Sequence, residues 1–170
     1  MCQICSTDEK EDGPVFGVFS AGTHELNLST QDPGDLKMVN FKTIGYGGRD
    51  NNSLISALKE MNAEAVIDVR HKPYCGWNRN FCGEVLKDKL AAEGIDYLWI
   101  SDLGNMTRDI NKIKLVNEAR GIEKVLSVAT QYEYDTVVLL CAEADEKKCH
   151  RSYVRDKLAA AVNLPSFHPV

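Results

Sequence analysis

Thr136-Val-Val-Leu-Leu-Cys-Ala-Glu-Ala-Asp-Glu-Lys-Lys-Cys-His-Arg-Ser-Tyr153 holds an apolar run that stops at Cys141, a polar turn, and a helical pattern starting near Cys149. It reads as a strand, a loop and a helix in succession. Such strand-to-helix turns are where α/β folds place ligands. Cys141, Glu143, Cys149, His150 and Arg151 fall within eleven residues of this turn.

The same unit recurs upstream. Residues 39–45 read as a strand, 46–52 as a glycine-containing loop and 53–62 as a helix with Leu54, Leu58 and Met61 on one face. A second strand over 65–69 is followed by a long loop with Pro73. The helix over 81–93 then turns Val85, Leu86, Lys89 and Leu90 inward and ends at Gly94 as a C-cap. A third strand over 95–100 leads through the loop 101–111 to a helix over 117–132 that carries Ala119, Ile122, Leu126 and Ala129 on one side. The last pair is the strand 136–141 and a helix over 148–162 burying Val154, Leu158 and Ala161. Repetition of this kind predicts a single α/β domain: a mainly parallel sheet of about four to five strands with helices on both faces, a Rossmann-like three-layer sandwich.

The domain is expected over residues 41–165. Residues 1–40 read as a partly mobile extension, with an acidic run over 8–12 and a strand-like Val15-Phe-Gly-Val-Phe19, and 166–170 as a tail. A chain of 170 residues with 44% hydrophobic content suits one soluble domain. No apolar run approaches the roughly 20 residues needed to cross a bilayer, and the polar start lacks the apolar core of a signal peptide, so a cytoplasmic setting without membrane contact is expected. The net charge of −5 offers phosphate backbones no overall attraction, so nucleic-acid binding would need a local basic patch. Six cysteines read as thiols in such a setting. Cys2 and Cys5 form one CxxC without a second to complete four zinc ligands.

Parallel strands place every strand-to-helix loop on one edge of the sheet. That brings Arg49, Arg70, Lys72, Arg151 and Arg79 toward Asp68, Asp102 and Glu143, with Tyr46 nearby. Arginine forks and helix N-termini suit phosphate, sulfate or carboxylate, so a small anion is the implied ligand; ion pairs that merely tie the loops together are the plain alternative. Asp68 and Arg70, two apart on a strand, face the same side and are expected to act as a pair with a third group, which makes Asp68 a candidate catalytic residue. Cys141 ends an apolar strand near Lys147, Lys148, His150 and Arg151, a setting that stabilises a thiolate. It is the expected nucleophile, with His150 as base and Glu143 as proton donor, and a packed, inert cysteine is the alternative.

Cys141, Cys149, His150 and Glu143 are also metal donors by type. A helix already under way at Cys149, turning about 100° per residue, would point Cys149 away from Cys141. On that ground no metal and no cofactor are expected, unless the first turn is irregular. Gly45-Tyr-Gly-Gly-Arg-Asp50 falls short of a dinucleotide fingerprint, because Asp50 stands at the third glycine.

Thr43-Ile-Gly-Tyr46 with Arg49, Asp68-Val-Arg70 with Pro73, Asn80-Phe81, Tyr97 with Leu103-Gly104, Cys141-Ala-Glu143 and Cys149-His-Arg151 together resemble the uncharacterised family catalogued as domain of unknown function four-eight-eight, over about residues 41–158. The resemblance implies a compact α/β domain with a parallel sheet and no established activity. The loop 71–80, with Cys75 and Trp77, is less basic and serine-rich than is usual in that family. The leading functional expectation is a small enzyme with a reactive cysteine and an anionic, nucleotide-like or phosphate-containing substrate, in which Arg49, Arg70 and Arg151 hold the anion. A nucleic-acid or nucleotide binding module using Arg49, Arg70, Lys72, Arg79 and Trp77 is the alternative, and a metal-dependent enzyme the second.

Overall fold

The apolar segments form four strands, β1 (Asn40–Gly45), β2 (Ala65–Asp68), β3 (Asp96–Trp99) and β4 (Thr136–Cys141), which pair in parallel in the order β1-β4-β2-β3. The computed structural model describes residues 39–76, 78–107 and 109–162, all within one compact unit. Cys2, Cys5, the extension before residue 39, Trp77 and the tail lie outside the described residues. β4 is central and buried along its whole length, as its continuous apolar sequence requires.

Four helices join and cover the strands: α1 (Asn51–Glu60), α2 (Gly83–Ala91), α3 (Glu118–Gln131) and α4 (Arg151–Val162). Steps from β1 to β2 and from β2 to β3 run in one direction across the sheet, whereas β3 to β4 runs back. Right-handed crossovers then put α1 and α2 on one face and α3 on the other. The two halves of the core agree. Leu54, Leu58, Leu86 and Leu90 pack with Val66, Val138 and Leu140, while Val125, Leu126, Ala129, Val154 and Leu158 pack with Ile67, Val137 and Leu139. The sheet is therefore covered on both sides.

Three helix starts differ from the periodicity, and the simplest is α2, which begins at Gly83 rather than 81 because Arg79–Phe81 form a short 3₁₀ turn. α1 begins at Asn51, two residues before Ser53, because Asp50 caps it: the Asp50 carboxylate accepts from the Ser53 backbone N–H at 2.7 Å, and the Ser53 hydroxyl accepts from the Asp50 backbone N–H at 3.1 Å. A carboxylate thus occupies the place a dinucleotide phosphate would need. α4 begins only at Arg151. The polar run before it folds as a short 3₁₀ turn, Glu146–Lys148, capped by Asp145, and leaves Cys149 extended at φ −131° and ψ 140°. On α3 the buried positions are Gly121, Val125, Leu126 and Ala129, whereas Ala119 is exposed.

Strand order decides where a crevice opens. β2 and β4 are neighbours, yet the chain leaves β2 toward α2 on one face and leaves β4 toward α4 on the other. Their carboxyl ends therefore splay apart at a topological switch point.

Candidate functional site

A cavity of about 420 Å³ lies over this switch point, lined by Tyr46, Arg70, Lys72, Cys141, Glu143 and His150, among others. Strand alternation sorts the residues beneath it. Val137, Leu139 and Cys141 face the α3/α4 side, as do Ile67 and Val69, whereas Asp68 lies on the opposite side with Arg70. Two separate groupings thus meet at one edge, a charge pair on one face and a sulfur cluster on the other.

The charge pair is closed on itself. Asp68 and Arg70 are both buried, at 0% and 5% exposure, and Arg70 Nε donates to the two Asp68 oxygens at 2.8 and 2.9 Å. Its Nη2 donates to Asp68 as well, and Nη1 donates to the Phe81 carbonyl at 2.8 Å and the Tyr46 hydroxyl at 3.2 Å. The guanidinium also lies 5.1 Å from the centre of the Tyr46 ring, which stacks on Phe81. Tyr97 donates to Asp68 at 2.6 Å. Burial, then the Asp68 charge, raises the Tyr97 phenol far above its ordinary range. Every nitrogen of Arg70 is engaged, so its partner is Asp68 rather than Glu143 or Asp102, and it has no free fork to offer an anion. What it does is hold the turn after β2. The Arg70 backbone N–H donates to Asp68 Oδ1 at 3.0 Å, and Trp99 Nε1 donates to the Arg70 carbonyl at 2.9 Å.

That turn aims the Val69 carbonyl at His150. A carbonyl only accepts, so the 2.9 Å contact with His150 Nε2 puts the ring proton on Nε2 and leaves the Nδ1 lone pair free. Nδ1 faces the Cys141 sulfur at 4.0 Å. Cys149, extended before α4, turns inward to the same place, and the Sγ atoms of Cys141 and Cys149 and a ring nitrogen of His150 all lie within 4.8 Å of one another. The expectation that Cys149 points away from Cys141 fails, because the helix starts at Arg151 rather than at 148.

The two thiols titrate as a pair. Cys149 is drawn well below the ordinary thiol range, first by hydrogen bonding with Cys141 and then by His150. Cys141 is pushed up by the same partner and by burial. One proton leaves the pair readily and the second does not. Burial opposes the imidazolium, but hydrogen bonding to the Cys149 sulfur and the Val69 carbonyl outweighs it and raises the His150 pKa. All four described cysteines are free thiols.

The remaining expected residues fall in different places. Lys72 and Glu143 are exposed on the rim of the cavity, beside His71 and Lys148. Lys72 and Lys148 make no ion pair with a described residue. Arg49 and Arg151 line a neighbouring hollow with Thr43, Gly45 and Gly47, so the three arginines do not converge. Arg49 Nε donates to the Gly45 carbonyl at 3.2 Å. Arg151, 2% exposed, donates to the Glu143 carbonyl and to the Ala144 carbonyl at 3.0 Å, and so braces the turn after β4 from below. Lys148, named with Lys147 as a charge near Cys141, faces the cavity over the switch point, which no periodic signal in its run marks.

Asp102 is held on the α3 side. Burial works to raise its carboxyl, but Arg120 at 2.9 Å and Lys124 at 2.7 Å outweigh that and hold it below the ordinary range. The stability this supplies is present above the unfolded carboxyl value of about 4 and is lost as pH falls through the lower folded value. Asp102→Asn is expected to cost about 1–2 kcal/mol at pH 7 and progressively less in acid below about pH 4. Urea titrations of both proteins across pH would check this; a penalty that does not shrink in acid would show that packing, not charge, is lost.

The fold and site define a small parallel α/β domain with a sulfur–imidazole cluster at its switch point. The chain belongs to the family described as Domain of unknown function DUF488, whose model matches residues 51–158. The match takes in three strands and the whole cluster, whereas β1 and the glycine loop precede it. No curated protein and no solved structure gives a match. Among the described residues, no helix is long and apolar enough to cross a membrane.

Proposed function

We propose that this protein is a small cytoplasmic enzyme that acts on an anionic small molecule in the crevice between β2 and β4, with the Cys141, Cys149 and His150 cluster as its chemical centre. The observation that carries this is the Val69–His150 contact. It fixes the one tautomer whose free nitrogen faces sulfur, and a merely packed cysteine has no need of it. In a cluster free of metal, the chemistry open to it is sulfur attack. The first proton of the Cys141–Cys149 pair passes to His150 Nδ1, the resulting thiolate attacks an electrophilic centre of the substrate, and the imidazolium returns the proton to the leaving group. The anion is held by Lys72 and Lys148. Arg70 supports the site from beneath.

Two alkylating reagents of similar size, one anionic and one neutral, test both halves. In chelator-treated protein near pH 7, the crevice cysteines are expected to favour iodoacetate over iodoacetamide by about tenfold relative to Cys82, a difference of about 1.4 kcal/mol. Mass spectrometry of the modified peptides reads the ratio. Lys72→Ala with Lys148→Ala should bring it down to that of Cys82. Equal ratios at the crevice and at Cys82 in the unmutated protein would remove the anionic substrate, and alkylation of neither crevice cysteine would remove the thiolate.

A further inference from the structure

Sulfur attack needs one thiol, yet a second, Cys149, is 2% exposed and is turned into the cluster by its extended backbone just before α4. We propose that Cys141, Cys149 and His150 form a binding site for a soft divalent cation, zinc above all, with a fourth coordination position open to the crevice. The inference rests on the reading of the crevice as a catalytic site for an anion and names its cofactor; with the ion bound, Cys141, Cys149 and His150 are ligands and sulfur attack gives way to chemistry at the open position.

The distances fit the ion. In tetrahedral zinc sites with Zn–S of about 2.3 Å and Zn–N of about 2.0 Å, neighbouring donor atoms stand roughly 3.5–3.8 Å apart. Here all three donors lie within 4.8 Å of one another, and Cys141 Sγ is 4.0 Å from His150 Nδ1. Closing the remainder takes side-chain shifts on the order of 1 Å or less, which leave the backbone in place. His150 is also prepared in the way ligating histidines are. Its Nε2 proton is committed to the Val69 carbonyl, so Nδ1 offers a lone pair in a fixed direction.

Charge argues the same way. Two sulfurs at 5% and 2% exposure cannot both be thiolates beside a single imidazole without a further positive charge. A divalent cation supplies it and balances both. No carboxylate competes within the cluster: Asp68 is spent on Arg70, and Glu143 is exposed at the rim. Two thiolates and an imidazole select zinc and other soft metals over magnesium or calcium, which prefer oxygen. Finally, all three residues line the same cavity, so the fourth side faces space that a water or a substrate oxygen can enter. Two cysteines and one histidine with an open position is a donor set of catalytic rather than structural zinc. An ion there would polarise the oxygen it binds, while Lys72 and Lys148 hold the rest of the anion.

Cobalt in place of zinc makes the site visible. The full chain, freed of metal and titrated with Co²⁺ under reducing conditions, is expected to bind one equivalent with intense tetrahedral visible bands and a sulfur-to-cobalt charge-transfer band, which zinc then bleaches. Cys2→Ser with Cys5→Ser should leave the bands in place. Cys149→Ser should weaken cobalt binding by on the order of 100-fold or more, and His150→Gln should weaken it and shift the visible bands. No charge-transfer band in the unmutated chain overturns the site whether or not any variant folds, and so does a band lost with Cys2 and Cys5 but kept in Cys149→Ser. Absence of the band together with iodoacetate preference leaves a thiol enzyme without metal. A band without that preference keeps the metal and removes the anionic substrate.

Discussion

Arg70→Ala is expected to destabilise the protein by about 3–5 kcal/mol, because it strands the Asp68 carboxylate in the interior without its cation. Asp68 is fully buried, and of its partners the Arg70 side chain makes three contacts, leaving the Tyr97 hydroxyl and the Arg70 backbone N–H. Neither survivor carries a positive charge. Urea denaturation reads the loss directly as a lower midpoint at unchanged slope. The double variant Asp68→Leu with Arg70→Met removes both charges and is expected to regain at least about half of that loss, since the penalty lies in the unpaired charge more than in the pair itself. A single-variant loss below about 1 kcal/mol would show that Asp68 is solvated or protonated at little cost, and would end the account of this pair as the support of the turn after β2. The functional consequence follows from the same contacts: with the turn loosened, the Val69 carbonyl no longer fixes the His150 tautomer.

Gly45→Ala is expected to be as damaging, at about 3–5 kcal/mol, for steric reasons alone. A Cβ at this position would sit 1.8 Å from the Glu143 carbonyl oxygen, 2.8 Å from its carbon and 3.0 Å from Arg151 Nη1. The obstacle is backbone, and Arg151 holds it in place by donating to that same carbonyl. Relief requires the turn 142–144 to move away from β1, taking the end of β4 and Cys141 with it. Gly94→Ala is the control. Its φ of +72° disfavours any side chain, but nothing lies within 4 Å, so about 1–2 kcal/mol is expected. Thermal or chemical denaturation of the two variants side by side separates collision from conformational strain. Similar losses in both would mean that the turn after β4 yields easily.

Much of the fold was legible because it rests on local patterns. The boundaries of β4 match its apolar run, and the inward residues Leu54, Leu58, Leu86 and Leu90 recur at helical spacing. Helix starts were harder to place. Asn51 and Asn52 are weak helix formers, and only the reciprocal bonds of Asp50 and Ser53 draw them into α1. The run Asp145-Glu-Lys-Lys148 has no apolar repeat from which to count, so nothing local says that it forms a 3₁₀ turn and that the helix waits until Arg151. The position of Cys149 depends on that delay and on burial beside α3 and α4.

Charges were the least legible. Arg49, Arg70 and Arg151 share the carboxyl edge of the sheet, as parallel strands dictate, but their tasks diverge. Arg70 is consumed by a carboxylate two residues away, Arg151 by backbone carbonyls, and Arg49 lies over a neighbouring hollow. A guanidinium on a long side chain can reach many partners, and which one it takes depends on what the fold has left buried and unpaired.

The sequence by itself determined the elements, their parallel direction and so the single edge at which every strand-to-helix loop must meet, because periodicity and strand direction are properties of consecutive residues. Only the tertiary structure decided the order β1-β4-β2-β3, and with it which two loops part to open the crevice. It also brought Cys141, Cys149 and the Val69-anchored His150 to within a few ångströms of one another. Those contacts join side chains whose approach depends on packing both faces of the sheet at once, and no run of neighbouring residues specifies that.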